Sequence, residues 1–142
     1  MIVIDTNVLS ELMRARPEPV VLEWFRARPL AEIATTAINI AEIRHGLARL
    51  PLGRRRRDLE GTFNSLAARG FTDRVFDFDR AAAEVFPDLV VARERTGRRL
   101  AGFDGLIAAI ARSQGLAIAT RNTDDFVDCG IEVINPWAVA PA

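Results

Sequence analysis

Short runs of aliphatic residues alternate along this chain with longer stretches in which apolar positions recur every three or four residues. The first run, Ile2-Val3-Ile4, is apolar on both sides, which suits a central strand buried between helices. Residues 8–13 continue as a short helix that stops before Pro17, since the residue ahead of a proline avoids the α region. A second helix begins at Glu18-Pro19, with Val20, Val21, Trp24 and Phe25 at helical spacing and assigned to the core. Residues 32–35 read as a short strand leading into a helix over 36–50, where Ile40, Ile43, Leu47 and Leu50 form an apolar stripe. Pro51-Leu52-Gly53 makes a turn, and the helix after it carries Leu59, Phe63 and Leu66 on one face.

Residues 74–78 alternate and predict another strand, with Asp79 as N-cap of a helix over 80–96 that Pro87 should kink or split. Gly97 ends that helix, and a loop over 97–102 leads to a strongly apolar helix around Leu106-Ile107-Ala108-Ala109-Ile110-Ala111, closed by Gly115. Residues 116–120 form a second clearly buried strand and 131–134 a last short one. Such alternation of strands and helices predicts an α/β fold, a parallel sheet covered on both faces. With 142 residues, 49% of them hydrophobic, the chain is long enough for one complete core and too short for two. The expected organisation is one domain over 1–142, with 136–142 as a C-terminal tail.

Charge and composition then narrow the chemistry. Nineteen basic and nineteen acidic residues cancel, so no global charge argues for a nucleic-acid or membrane partner. Every basic residue is Arg and none is Lys, which removes Schiff-base, P-loop and lysine-base mechanisms. One cysteine (Cys129) and one histidine (His45) exclude a disulfide framework and leave almost no room for a His/Cys zinc cage. No basic flank marks a signal peptide at the N-terminus and no apolar run approaches the roughly 18 residues of a membrane span, so a cytoplasmic protein is expected. Arg54 to Arg57 are four consecutive arginines, which on a helix cannot all point one way and read as a solvated hairpin tip in preference to a phosphate-gripping patch.

What remains distinctive is the placing of acids. Asp5 follows the first buried strand, at the edge where open α/β sheets build their ligand crevices. Glu42 lies in the first turns of its helix, where Asn39-x-x-Glu42 also fits a plain capping box. Asp104 precedes an apolar run, where an aspartate is often only an N-cap. Asn122, Asp124 and Asp125 lie beyond the second buried strand, where turn and capping roles are ordinary. Taken together, Asp5, Glu42, Asp104 and the Asn122/Asp125 segment occupy one edge of the sheet. A cluster of carboxylates without His, Cys or Lys is the ligand set of a hard divalent cation, and without one it would repel itself and raise its own pKa values.

These residues also carry a family resemblance. Ile4-Asp5-Thr6-Asn7, Ala41-Glu42-Ile43-Arg44-His45-Gly46, Asp104-Gly105-Leu106-Ile107-Ala108, the stretch from Ala119 to Phe126 and Asn135-Pro136-Trp137 occur in the order seen in PIN-domain ribonucleases. In particular the chain resembles the VapC and FitB-like toxins of type II toxin–antitoxin pairs, over essentially its whole length. The resemblance implies a three-layer α/β/α fold with a central, mainly parallel sheet of four or five strands. It also implies a Mg2+-dependent endoribonuclease, with Mn2+ as a substitute, inhibited by a small DNA-binding antitoxin that occupies the active site. Homodimers that assemble further with antitoxin belong to the same expectation, and a membrane partner does not.

Carried over by position, Asp5, Glu42 and Asp104 match the three core acids and would hold the metal. Where many relatives have a fourth acid this chain has Asn122, which can coordinate through its carbonyl oxygen but adds no charge; Asp125 can supply that charge from the same loop. One-metal and two-metal mechanisms both stay open. Thr6 and Thr120 would support the carboxylates as hydroxyls, and Arg98, Arg99 and Arg121 are candidate phosphate contacts. Two other enzyme classes fit less well. A phosphoacceptor domain needs a lysine near its aspartate, and a haloacid-dehalogenase-type phosphatase needs Asp where this chain has Asn7. A non-catalytic relative that binds only RNA or antitoxin is the remaining alternative.

Overall fold

The computed structural model describes residues 1–71, 73–100 and 102–138; of the tail expected over 136–142, residues 139–142 lie outside the described residues. Its elements, in chain order, are β1 (Ile2–Ile4), α1 (Thr6–Leu12), α2 (Pro19–Arg26), β2 (Ile33–Thr36), α3 (Ala37–Ala48), α4 (Arg54–Gly70), β3 (Val75–Phe76), α5 (Arg80–Arg95), α6 (Gly102–Gln114), β4 (Ala117–Ala119) and β5 (Val133–Ile134). The strands form one five-stranded sheet in the order β3-β2-β1-β4-β5, and every pairing is parallel. Sequential strands run outward from β1 on one side, while β4 and β5 lie on the other. The order therefore reverses between β1 and β4, the switch point at which open α/β sheets leave a crevice beyond the strand carboxyl ends.

Both faces of the sheet are covered, as the doubly apolar strands require. In β1, Val3 and Ile4 are fully buried on opposite sides. Ile4 packs with Val8 and Leu9 of α1, Val21 and Trp24 of α2, Ile43 and Leu47 of α3 and Phe63 of α4. Val3 packs with Leu89 of α5, Ile107, Ala108 and Ala111 of α6, and Ile118 of β4. The two helical layers thus share the middle strand, and each large side chain withdrawn from water contributes about 1.5–3 kcal/mol to holding its register. Register matters to function here, because it lines up the ends of β1 and β4: Ile4 pairs with Ala119, and the Asp5 N–H donates to the Ala119 carbonyl at 3.0 Å.

Several local expectations are met and a few are corrected. Asp79 caps α5 by accepting from the Ala82 N–H at 3.0 Å, and Gly115 follows α6 with φ +66°. Pro87 does not split α5, which runs unbroken from Arg80 to Arg95. It is exposed, and the Ala83 carbonyl it leaves without an intrahelical donor lies on an exposed residue, so water can satisfy what the proline removes. Helix α1 starts earlier than residue 8, at Thr6, because Asp5 caps it through its own side chain. At α3 the N-cap is Thr36, whose Oγ1 accepts from the Asn39 N–H at 3.1 Å, so Asn39 is not the cap and Asn39/Glu42 is not a capping box. Asp104 lies inside the first turn of α6 rather than ahead of the helix.

Candidate active site

Asp5 is the fixed point of the site. It is buried at the end of β1, and donors from four places in the chain converge on its carboxylate. Oδ1 accepts from the Thr6 N–H at 2.8 Å and from Asn39 Nδ2 at 3.0 Å. Oδ2 accepts from Thr120 Oγ1 at 2.8 Å, with Asn7 Nδ2 at 3.5 Å. Thr120 in turn accepts from Asn7 Nδ2 and from the Asn122 N–H, each at 3.1 Å, and Asn7 Oδ1 accepts from the Arg121 N–H at 3.1 Å. The carboxylate is thereby locked in one orientation at the β1/β4 switch point.

Glu42, on the first turns of α3, is drawn to the same place by Thr6, whose Oγ1 donates to Oε1 at 2.9 Å. Asn39 lies three residues earlier on the same helical face and reaches both Asp5 and Thr6, the latter at 3.1 Å. Thr6 and Thr120 therefore act as the supporting hydroxyls expected of them. Asn39 and Asn7 were not expected in this role. Their signal was legible in part, since Asn39 must share a helix face with Glu42 and Asn7 follows Asp5 by two residues. The Asn122 side chain is exposed and caps no helix end; only its backbone joins the network.

The acids act on one another's charge. Burial pushes the Asp104 carboxyl up to about 6 from an ordinary 3.8, and repulsion from Asp5, Asp125 and Glu42 adds to the rise, against a lowering by the Arg93 guanidinium. Burial also raises Asp5, opposed by the hydrogen bonds from Thr120, Thr6 and Asn39 and reinforced by Asp125. Burial raises Glu42, with the Thr6 hydrogen bond opposing and Asp5 reinforcing. Four acids separated by as many as 120 residues thus press on each other's charge.

Carboxylate oxygens unaccompanied by His or Cys are donor chemistry for a hard divalent cation, and such an ion would relieve the repulsion. Among the described residues no three His, Cys, Asp or Glu side chains are arranged to hold an ion directly. The oxygens of Asp5 are moreover already engaged by protein donors. The donor set, oxygen without nitrogen or sulfur, fits a hard divalent cation.

The sequence that folds in this way matches a known family. The PIN domain family matches residues 2–130. The chain belongs to the PIN-domain family. The PIN-domain chain is 39% identical to the VapC ribonuclease Y4jK of Sinorhizobium fredii over 99% of its own length and 100% of that protein. It is 34% identical to the toxin FitB of Neisseria gonorrhoeae, covering 96% of this chain and 99% of that one. Its fold superposes on the crystal structure of FitAcB from Neisseria gonorrhoeae with a TM-score of 0.90 at 33% identity, covering 98% of this chain and 100% of that one. The protein is thus a homologue of the VapC and FitB toxins of type II toxin–antitoxin systems. PIN-domain nucleases generally use divalent metal ions. Among the described residues, no helix is long and apolar enough to cross a membrane.

Proposed function

We propose that this PIN-domain protein is a Mg2+-dependent endoribonuclease, Mn2+ substituting, and the toxin of a toxin–antitoxin pair acting in the cytoplasm. One observation supports the reading: Asp5, Asp125 and Glu42 are near enough to Asp104 for their charge to add to the rise that burial causes in its pKa. Asp5, Glu42 and Asp104 would hold the cation, with Asp125 and Asn122 at its rim. When bound, the ion lowers the pKa of a water and offsets charge on the phosphoryl oxygens.

The remaining work falls to the chain's own residues. Thr120, Asn39 and the Thr6 N–H aim the Asp5 carboxylate and oppose the rise in its pKa that burial causes. Thr6 holds Glu42 in the same crevice. Arg98, Arg99 and Arg121 are exposed and available to RNA phosphates. Arg121 is anchored through its backbone N–H to Asn7 and by its guanidinium 5.1 Å from the Trp137 ring centroid. Hydrolysis adds water across the P–O3′ bond, leaving a 5′ phosphate and a 3′ hydroxyl whose oxygen takes up a proton. A small DNA-binding antitoxin is the expected partner, as FitAB solved with a DNA fragment suggests for its homologue, and toxin dimers would assemble with it.

The test is cleavage of RNA with Mg2+ by the wild type and by Asp5→Asn, and equal activity in the two would rule the assignment out. A non-catalytic RNA- or antitoxin-binding role is the second reading, favoured by the open donor set among the described residues. Calorimetric titration with Mg2+ and Mn2+ decides between them, since the absence of saturable binding selects the second.

A further inference from the structure

Arg93 is a charged side chain in the wrong place for a surface helix. It is only 3% exposed on α5 and forms no ion pair among the described residues. Its Nη1 instead donates to two backbone carbonyls of the loop after β4, Asp124 at 3.2 Å and Val127 at 2.7 Å. Its Nε is buried with no hydrogen-bond partner. Burying a guanidinium costs several kcal/mol, and a well-packed apolar side chain would serve stability at least as well. The two carbonyls bracket Asp125, which the short 3₁₀ turn Thr123–Asp125 brings within electrostatic reach of Asp5 and Asp104. The backbone hydrogen bonds of this turn, Asp125 N–H to the Asn122 carbonyl and Phe126 N–H to the Thr123 carbonyl, hold its shape but do not tie it to α5.

We propose that Arg93 is a positioning residue for the nuclease site: its guanidinium clips the 124–127 loop to α5, so that Asp125 faces the acid crevice, and places the one cation buried among the described residues behind that crevice. The inference rests on the nuclease reading above and deepens it. It explains why a helix residue withdrawn from solvent is charged, and why a member with Asn at 122 keeps Asp125 in reach. A merely structural arginine would cost activity in proportion to lost fold, whatever stands at position 125.

The experiment is a double-mutant cycle on RNA cleavage using Arg93→Met, Asp125→Asn and the pair, with thermal melting of each protein and Asp5→Asn as control. Arg93→Met keeps the apolar stem and removes the clip; Arg93→Lys keeps the charge but cannot reproduce the planar fork, and serves if the Met variant does not fold. Either substitution should lower cleavage about tenfold or more in the wild-type background. In the Asp125→Asn background it should lower it less than about twofold, because the group being positioned is already gone. Equal losses in both backgrounds, or no loss in the wild type, would overturn the proposal. If Asp5→Asn also cleaves normally, the nuclease reading fails; if it is inactive while Arg93→Met is unaffected, only the role of Arg93 fails.

Discussion

Asp104→Asn should stabilise the metal-free protein at neutral pH while abolishing cleavage. The carboxyl of Asp104 is pushed up from 3.8 to about 6 by burial and by three neighbouring acids. A folded-state pKa above the unfolded one means that the wild type loses stability as pH rises from about 4 through 6, and carries the full penalty above that. Each pKa unit is worth about 1.4 kcal/mol, which bounds the penalty near 3 kcal/mol. Because the side chain is only half-buried, solvent screening should leave about 1–1.5 kcal/mol. For a chain of this size that is roughly 3–5 °C in Tm. The assay is thermal melting of both proteins in a chelating buffer at pH 7.5 and at pH 3.5. Asp104→Asn should melt higher at pH 7.5, and the gap should close at pH 3.5, where the wild-type carboxyl is protonated. A lower Tm for the variant at both pH values would show that the acids do not strain one another, and the charge argument for a cation would go with it.

Other predictions follow from the same contacts. Thr120→Val leaves the buried Asp5 Oδ2 short of a donor and Asn7 Nδ2 and the Asn122 N–H short of an acceptor; it should cost about 1–3 kcal/mol in denaturant unfolding and about 10–100-fold in cleavage. Saturating Mn2+ should raise the Tm of the wild type, by about 2.7 kcal/mol of stabilisation at a hundredfold excess over Kd, and do far less for Asp104→Asn; equal rises would place the ion elsewhere. Asp79→Ala removes the cap of α5 and should cost about 1 kcal/mol with cleavage per folded molecule unchanged. Gly115→Ala forces an alanine into φ +66° and should cost about 1–2 kcal/mol, read from urea midpoints at constant slope.

The local alternation of apolar and polar positions, by itself, determined the strands that are buried on both faces, the helices between them and hence a parallel α/β sheet. It also determined that Asp5, Asp104 and the residues after β4 stand at element ends, because a strand or helix boundary is written in consecutive residues. The capping of α3 went the other way: Asn39-x-x-Glu42 has the spacing of a capping box, yet Thr36 takes the cap and frees the Asn39 amide for Asp5. Only the fold could choose between these, since the winning partner is 34 residues away and reaches Asn39 through the β1–β2 register. Arg93 shows the same limit, because arginine in an amphipathic helix reads as solvated until the loop after β4 folds over it. Periodicity reports whether a side chain is withdrawn from water; which polar group then meets it depends on contacts between distant segments, and those exist only once the chain has packed.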